Sequence, residues 1–382
     1  MTTSDKQGLS TALASGKDVK LSGNIDLGGS DWTPVGTESA PYTGTVDGNG
    51  YKITNLTISG TDNAALFAYT GENVTIKNIT LENVNINSNK YAAGVVCNAG
   101  NNLKIENVQV SGTIQASSYA SGIVFEASNI EIKNCVNNAK VSANRAAGIV
   151  SWIGSGSNTI SDVKNTGEIT GEIGASGIAN RFVGTISNAV NNGKITAKGT
   201  EPASGIVCIT TGLTTYEYCF NYGEVTSTAD NPNASAAGIL GQTPSKTATF
   251  NYCANYGNIT AEQSYAAGIA YSLYGSIDAK YCYNNGKITG ADGAGGIAPK
   301  AQYGAGDKAS YCLNAGEVVS SNGKTYQGSN NNVSCYYYEG NDLKDVKENT
   351  VVETNTALSA LNGGADTGFF ITSNGKIIVS NN

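Results

Sequence analysis

Ala92-Ala93-Gly94-Val95-Val96 is the first of eight copies of one phrase, and Ala294-Gly295-Gly296-Ile297-Ala298 is the last. Each copy runs Ala, a small residue, Gly, Ile or Val, then an apolar residue. The glycines are Gly94, Gly122, Gly148, Gly177, Gly205, Gly238, Gly268 and Gly296, spaced 28, 26, 29, 28, 33, 30 and 28 residues. A period in this range marks a solenoid, in which each repeat buries its apolar face only against its neighbours.

Each coil carries two further recurrent pieces. One is an Asn-x-Gly turn, as in Asn165-Thr166-Gly167, Asn191-Asn192-Gly193, Asn255-Tyr256-Gly257 and Asn284-Asn285-Gly286. The other is a short alternating strand, as in Glu168-Ile169-Thr170 and Lys287-Ile288-Thr289. Short strands and turns without a helical period indicate an all-β chain, a parallel β-helix of about 28–29 residues per coil. The crossover rule makes it right-handed. At about 4.8 Å per coil, about eleven or twelve coils extend roughly 50–60 Å. The turn Asn predicts a ladder of side-chain amides, and the Gly after it suits a left-handed turn residue. A copy offset by 29 residues places Ala65 in the glycine slot and adds a ninth coil.

The domain reading is one solenoid over residues 1–382: a cap over 1–20, coils over 21–325 and a second cap over 326–382. Ser4 is the expected N-cap of a short amphipathic helix ending near Gly16. Thr356–Leu361 reads as a short helix and Phe369–Val379 as a closing hairpin.

Composition bounds the chemistry. The net charge is −7, against nucleic acid and against an anionic membrane surface. There is no histidine, which excludes His-dependent triads and His-ligated metals, and no cofactor is expected. No apolar run approaches a membrane span. Met1-Thr2-Thr3-Ser4-Asp5-Lys6 does not read as a signal peptide. Cys135, Cys219, Cys253, Cys282 and Cys312 share one repeat slot in which other coils place Val163 or Ala189, so that slot is interior and its thiols are free. After the turn glycine, Lys140, Glu168, Lys194, Glu224, Asn258, Lys287 and Glu317 form a ladder of largely alternating charge.

Asp31-Trp32-Thr33-Pro34-Val35-Gly36, followed by Tyr42-Thr43-Gly44-Thr45-Val46-Asp47-Gly48-Asn49-Gly50, resembles the opening of the GLUG-motif surface proteins, adhesin-like bacterial β-helices. That resemblance implies an exported, extracellular or cell-surface protein with an adhesive role and no catalytic residues to transfer.

The expected partner is a host or cell-surface glycan or protein. Tyr218, Tyr252, Tyr281 and Tyr311 each precede a ladder cysteine, so strand alternation is expected to turn them outward with Tyr283 on the same face. These five tyrosines are the candidate ligand contacts; no catalytic or metal-binding residue is nominated. A polysaccharide lyase or hydrolase of the β-helix class is the alternative. For it, Asp278 with Asp292 or Glu168 with Glu172 are the closest acidic pairs, and Arg145 and Arg181 flank phrase copies in neighbouring coils. A passive stalk is the third reading. The small residues of the phrase predict a flat, bare outer side.

Overall fold

The computed structural model describes residues 1–231, 234–244, 247–299, 306–328, 331–363 and 368–380. The chain is a β-solenoid of about 11 turns, mostly strand, with a short helix and a small sheet towards the C-terminus. Two compact units divide it, Met1–Thr196 and Ala197–Asn382.

In the first unit, Thr2–Thr3 pairs in parallel with Val19–Leu21, and α1 (Lys6–Ala14) lies between them. Its N-cap is Asp5, not Ser4: Asp5 has extended backbone and its carboxylate accepts from Gly8 N–H at 2.8 Å. Leu9, Ala12 and Leu13 are its buried side. The coils then stack in register, with Tyr91–Ala93 lying between Asn63–Ala64 and Tyr119–Ser121.

The phrase glycine is required by close approach. A Cβ on Gly148 would lie 2.0 Å from the Gly177 carbonyl oxygen and 2.6 Å from Asn165 Oδ1. The amide ladder forms inside the coils: Asn137 Nδ2 donates to Asn165 Oδ1 at 2.8 Å, and Asn165 Nδ2 to Asn191 Oδ1 at 2.8 Å. All three are fully buried. The glycine two residues on is not left-handed as expected. At Gly167 and Gly193 a Cβ would fall inside the carbonyl oxygen of the coil before, so it is contact between coils that demands glycine there.

Left-handed backbone occurs elsewhere in the coil, at Asn78, Asn107, Asn134, Asp162 and Asn188, with φ between 51° and 55°. Their side chains form a second ladder on the outside, in which Asn107 donates to Asn78 at 2.9 Å and Asn188 to Asp162 at 2.9 Å. Asn and Asp tolerate this conformation best among residues with a side chain.

The second unit repeats the interior plan. Asn221, Asn255 and Asn284 each donate to the next rung at 2.7–2.8 Å, and Asn314 donates to Gln327 Oε1 at 2.7 Å. Parallel pairing continues past Tyr326: Asn331–Val333 lies on Lys308–Ser310, and Tyr336–Glu339 begins on Leu313–Asn314 before turning back antiparallel against Asp342–Asp345. Then come α2 (Thr354–Leu361) and the antiparallel hairpin Phe370–Ser373 with Lys376–Val379.

All eight cysteines are buried free thiols. Cys335 is a further rung after Cys312, and desolvation raises the thiols of both. Burial likewise pushes Cys135 up to about 12. Thiolate is the reactive form, so an aromatic disulfide reagent at pH 8 should titrate almost none of the eight in the native protein and all eight in denaturant. Fast native labelling of several thiols would contradict the burial.

The charge ladder is present at the surface, with Lys140–Glu168 and Lys287–Glu317 each at 2.9 Å. Half-exposed pairs of this kind contribute a few tenths of a kcal/mol.

Candidate functional site

Two aromatic assemblies stand out, one in each unit. In the second unit, Tyr218, Tyr252, Tyr281 and Tyr311 occupy the left-handed turn, with φ from 51° to 56°. They are therefore turn residues and not members of an alternating strand. Left-handed backbone costs a residue with a side chain about 1–2 kcal/mol. Ring stacking offsets it: successive centroids are 5.0, 4.8 and 5.1 Å apart, with interplanar angles of 6°, 5° and 13°. Face-to-face neighbours of this kind contribute about 0.5–1.5 kcal/mol per pair.

Beside this column, Tyr222 stacks on Tyr256 at 4.8 Å. Tyr218 is 44% exposed and Tyr222 is 50% exposed. The rest of the face is partly covered by the C-terminal segment. Phe369 meets Tyr252 edge-on at 5.1 Å, and Tyr252 and Tyr281 pack against the cluster of Ala357, Leu361, Phe369 and Phe370. Desolvation raises the Tyr252 hydroxyl, with its neighbours Tyr281 and Tyr218 adding to the effect.

Tyr283 departs from the expected placement. It lies on the next strand, 2% exposed, beneath Phe370, and burial pushes its hydroxyl up to about 12. Alternation does turn it away from the coil interior, but a segment from far along the chain covers that face. Four of the five nominated tyrosines thus form one stack, and Tyr283 belongs to the cap's core.

The first unit holds an assembly that the repeat pattern did not announce. The chain bends at each phrase glycine, so the outer faces of the strands before and after it meet in a concave crease. The phrase is therefore not a bare outer surface. Ala93 packs beneath Cys97 and Phe125, with Tyr91, Tyr119 and Trp152 against them. One wall is the register column Asn63, Tyr91, Tyr119, Arg145, Gly174. The other is Tyr69, Asn98, Glu126, Trp152, Arg181.

Rings meet across this crease. Tyr91 stacks on Phe125 at 4.3 Å, and Tyr119 meets Trp152 edge-on at 6.0 Å. The chain's only two arginines close on the same rings: the Arg145 guanidinium is 5.3 Å from the Tyr119 centroid, and that of Arg181 is 5.2 Å from Trp152.

The floor changes character along the crease. Cys97 and Phe125 make it apolar; Ser151, Ser176 and Asn180 make it polar. Ser151 Oγ donates across it to the Ala120 carbonyl at 2.8 Å. Asn180 and Ser176 are fully buried, and among the described residues Asn180 Nδ2, Asn180 Oδ1 and Ser176 Oγ have no hydrogen-bond partner. A buried unsatisfied polar group costs about 1–3 kcal/mol, so three together need a reason.

The acidic pairs considered for a hydrolase are not assembled by the ladder. Asp278 has Thr249 and Lys308 as its register neighbours, and Glu168 is held by Lys140.

Residues 39–112 match the family model described as the M26 IgA1-specific metallo-endopeptidase N-terminal region. The chain has no histidine, and among the described residues no group of three or more Cys, Asp or Glu could hold a metal ion. The chain is 35% identical over 130 residues to halomucin of Haloquadratum walsbyi, 30% of this chain and 1% of that protein. It is 36% identical over 97 residues to a candidate Gly-rich membrane protein of Evansella cellulosilytica, 25% of this chain and 11% of that one. The chain thus spans a small fraction of either relative. The crystal structure of a candidate immunoglobulin A1 protease from Bacteroides ovatus aligns over 99% of this chain and 91% of its own, with 14% identity and a TM-score of 0.36.

Proposed function

We propose that this chain is a secreted or cell-surface β-solenoid that binds an extracellular glycan or protein through the tyrosine stack of its second unit. The observation that carries the reading is the exposed end of two parallel ring stacks, Tyr218 on Tyr252 and Tyr222 on Tyr256. Rings already held face to face lose little freedom when a sugar ring or an apolar side chain lies on them, and exposed aromatic clusters mark interaction surfaces. The names of the matched family and relatives, and the GLUG-like opening around Trp32 and Asp47, support an extracellular setting.

Glycan-array and cell-binding assays should detect a ligand. The double substitution Tyr218→Ala/Tyr222→Ala should weaken it at least about tenfold, as loss of central aromatic anchors does. Binding unchanged by the double substitution would leave a passive stalk as the better description of this face.

A further inference from the structure

We infer that the crease of the first unit is a second, independent binding site, and that its ligand is an acidic saccharide: a sugar whose ring lies on Tyr119 and Trp152 and whose carboxylate is met by Arg145 and Arg181. This site lies on different residues from the tyrosine stack and does not depend on it.

Three observations converge on that chemistry. The first is charge. In a chain of net charge −7 with two arginines in all, both are placed on touching rings. A guanidinium meets a carboxylate through two parallel N–H donors, a geometry Lys cannot supply. The second is the aromatic walls. Tyr119 and Trp152 are half-buried and edge-to-face, the arrangement that offers one flat ring face and one hydrogen-bonding edge to a sugar.

The third is the floor. Asn180 stands in the column of Cys97, Phe125 and Ser151, because Val150 pairs with Ala179 and Trp152 with Arg181, bracketing Ser151 against Asn180. Phe125 and Ser151 both reach across the crease, so the Asn180 amide is aimed into it. That amide and the Ser176 hydroxyl have no partner among the described residues. An amide with both donors and acceptor unmatched suits the hydroxyls of a sugar, once Arg181 or Trp152 swings aside by rotation about its side-chain bonds. The walls also set a direction. Glu126 is exposed one coil before Trp152 and Arg181 one coil after it, so the carboxylate belongs at the Arg181 end.

The test is calorimetric titration of the whole chain with oligogalacturonate and a hyaluronan tetrasaccharide, against the methyl ester of the first and cellotriose as neutral probes. Emission is followed in parallel, since Trp152 is one of two tryptophans and the other, Trp32, is buried. We expect an acidic probe to bind and to change that emission, and the neutral probes to bind at least about tenfold more weakly. Arg145→Gln and Arg181→Gln should each weaken binding at least about tenfold, while Tyr218→Ala/Tyr222→Ala leaves it unchanged.

Asn180→Leu separates a ligand role from a structural one. With no partner to lose among the described residues, the fold should melt as wild type or higher, with binding reduced at least about tenfold. The inference is overturned if no acidic probe binds, if neutral and acidic probes bind alike, if the arginine variants bind as wild type, or if Asn180→Leu lowers the melting temperature and leaves binding intact.

Discussion

Gly148→Ala should destabilise the protein by at least about 3 kcal/mol, the upper end of what overfilling a core costs when its neighbours have no room to relax. The added Cβ would meet the Gly177 carbonyl oxygen at 2.0 Å, and that oxygen belongs to backbone held in the next coil. Neither neighbour is a flexible side chain end, since the second is Asn165 Oδ1, a rung of the buried ladder. Separating the coils to make space would break the pairing of Val141–Ala147 with Ile169–Ser176. The control is Gly28→Ala. Gly28 has φ of +71° but open space around its Cβ, so it should lose only about 1–2 kcal/mol. Urea denaturation of the two variants checks both; equal midpoints would remove the close-approach argument.

Asn165→Ala is the second large effect, expected at about 3 kcal/mol. The substitution removes an acceptor from Asn137, a donor from Asn191 and the bond from Asn165 to the Gly167 carbonyl at 3.0 Å, all in a fully buried site. Each lost bond leaves a desolvated partner behind, and the missing side chain leaves a void. Asn188→Gly, on the exterior ladder, gives the comparison. It keeps the left-handed turn and forfeits one exposed bond to Asp162, so it should change stability by less than about 1 kcal/mol. If both variants unfold at the same urea concentration, the interior ladder is not the stronger of the two.

The solenoid was legible because its constraints recur. Every coil must pass its neighbours at the same distance, so the same slot demands Gly at Gly122, Gly148 and Gly238, and Asn at Asn137, Asn165 and Asn255. The tyrosine stack was half legible. Its column is plain in the sequence, but the backbone there is a left-handed turn that Asn holds in the first unit, and alternation does not describe a turn.

What covers Tyr283 was out of reach, since Phe370 lies 87 positions later and no period links them. The crease leaves no trace in the repeat for the opposite reason. Its walls put Tyr91, Tyr119 and Arg145 in one slot and Glu126, Trp152 and Arg181 in another, and a search for repetition discards slots that vary. The available signal was the large or charged residues flanking small-residue phrases. Arg145 and Arg181 showed it, but their shared rings depend on the bend at the glycine.

The interior ladder of the second unit has a grammar of its own. Every Asn passes a proton donor in one sense, from Asn221 to Asn255 to Asn284 to Asn314, so the series has a head and a tail. Gln327 ends it by accepting from Asn314 with a side chain that comes from the other side of the coil. It serves as a terminator. A coil duplicated between Asn255 and Asn284 would continue the series with the same polarity. The amide series therefore closes at Gln327 while strand pairing runs on to Tyr336–Glu339, so the polar ladder and the strand ladder have separate end groups.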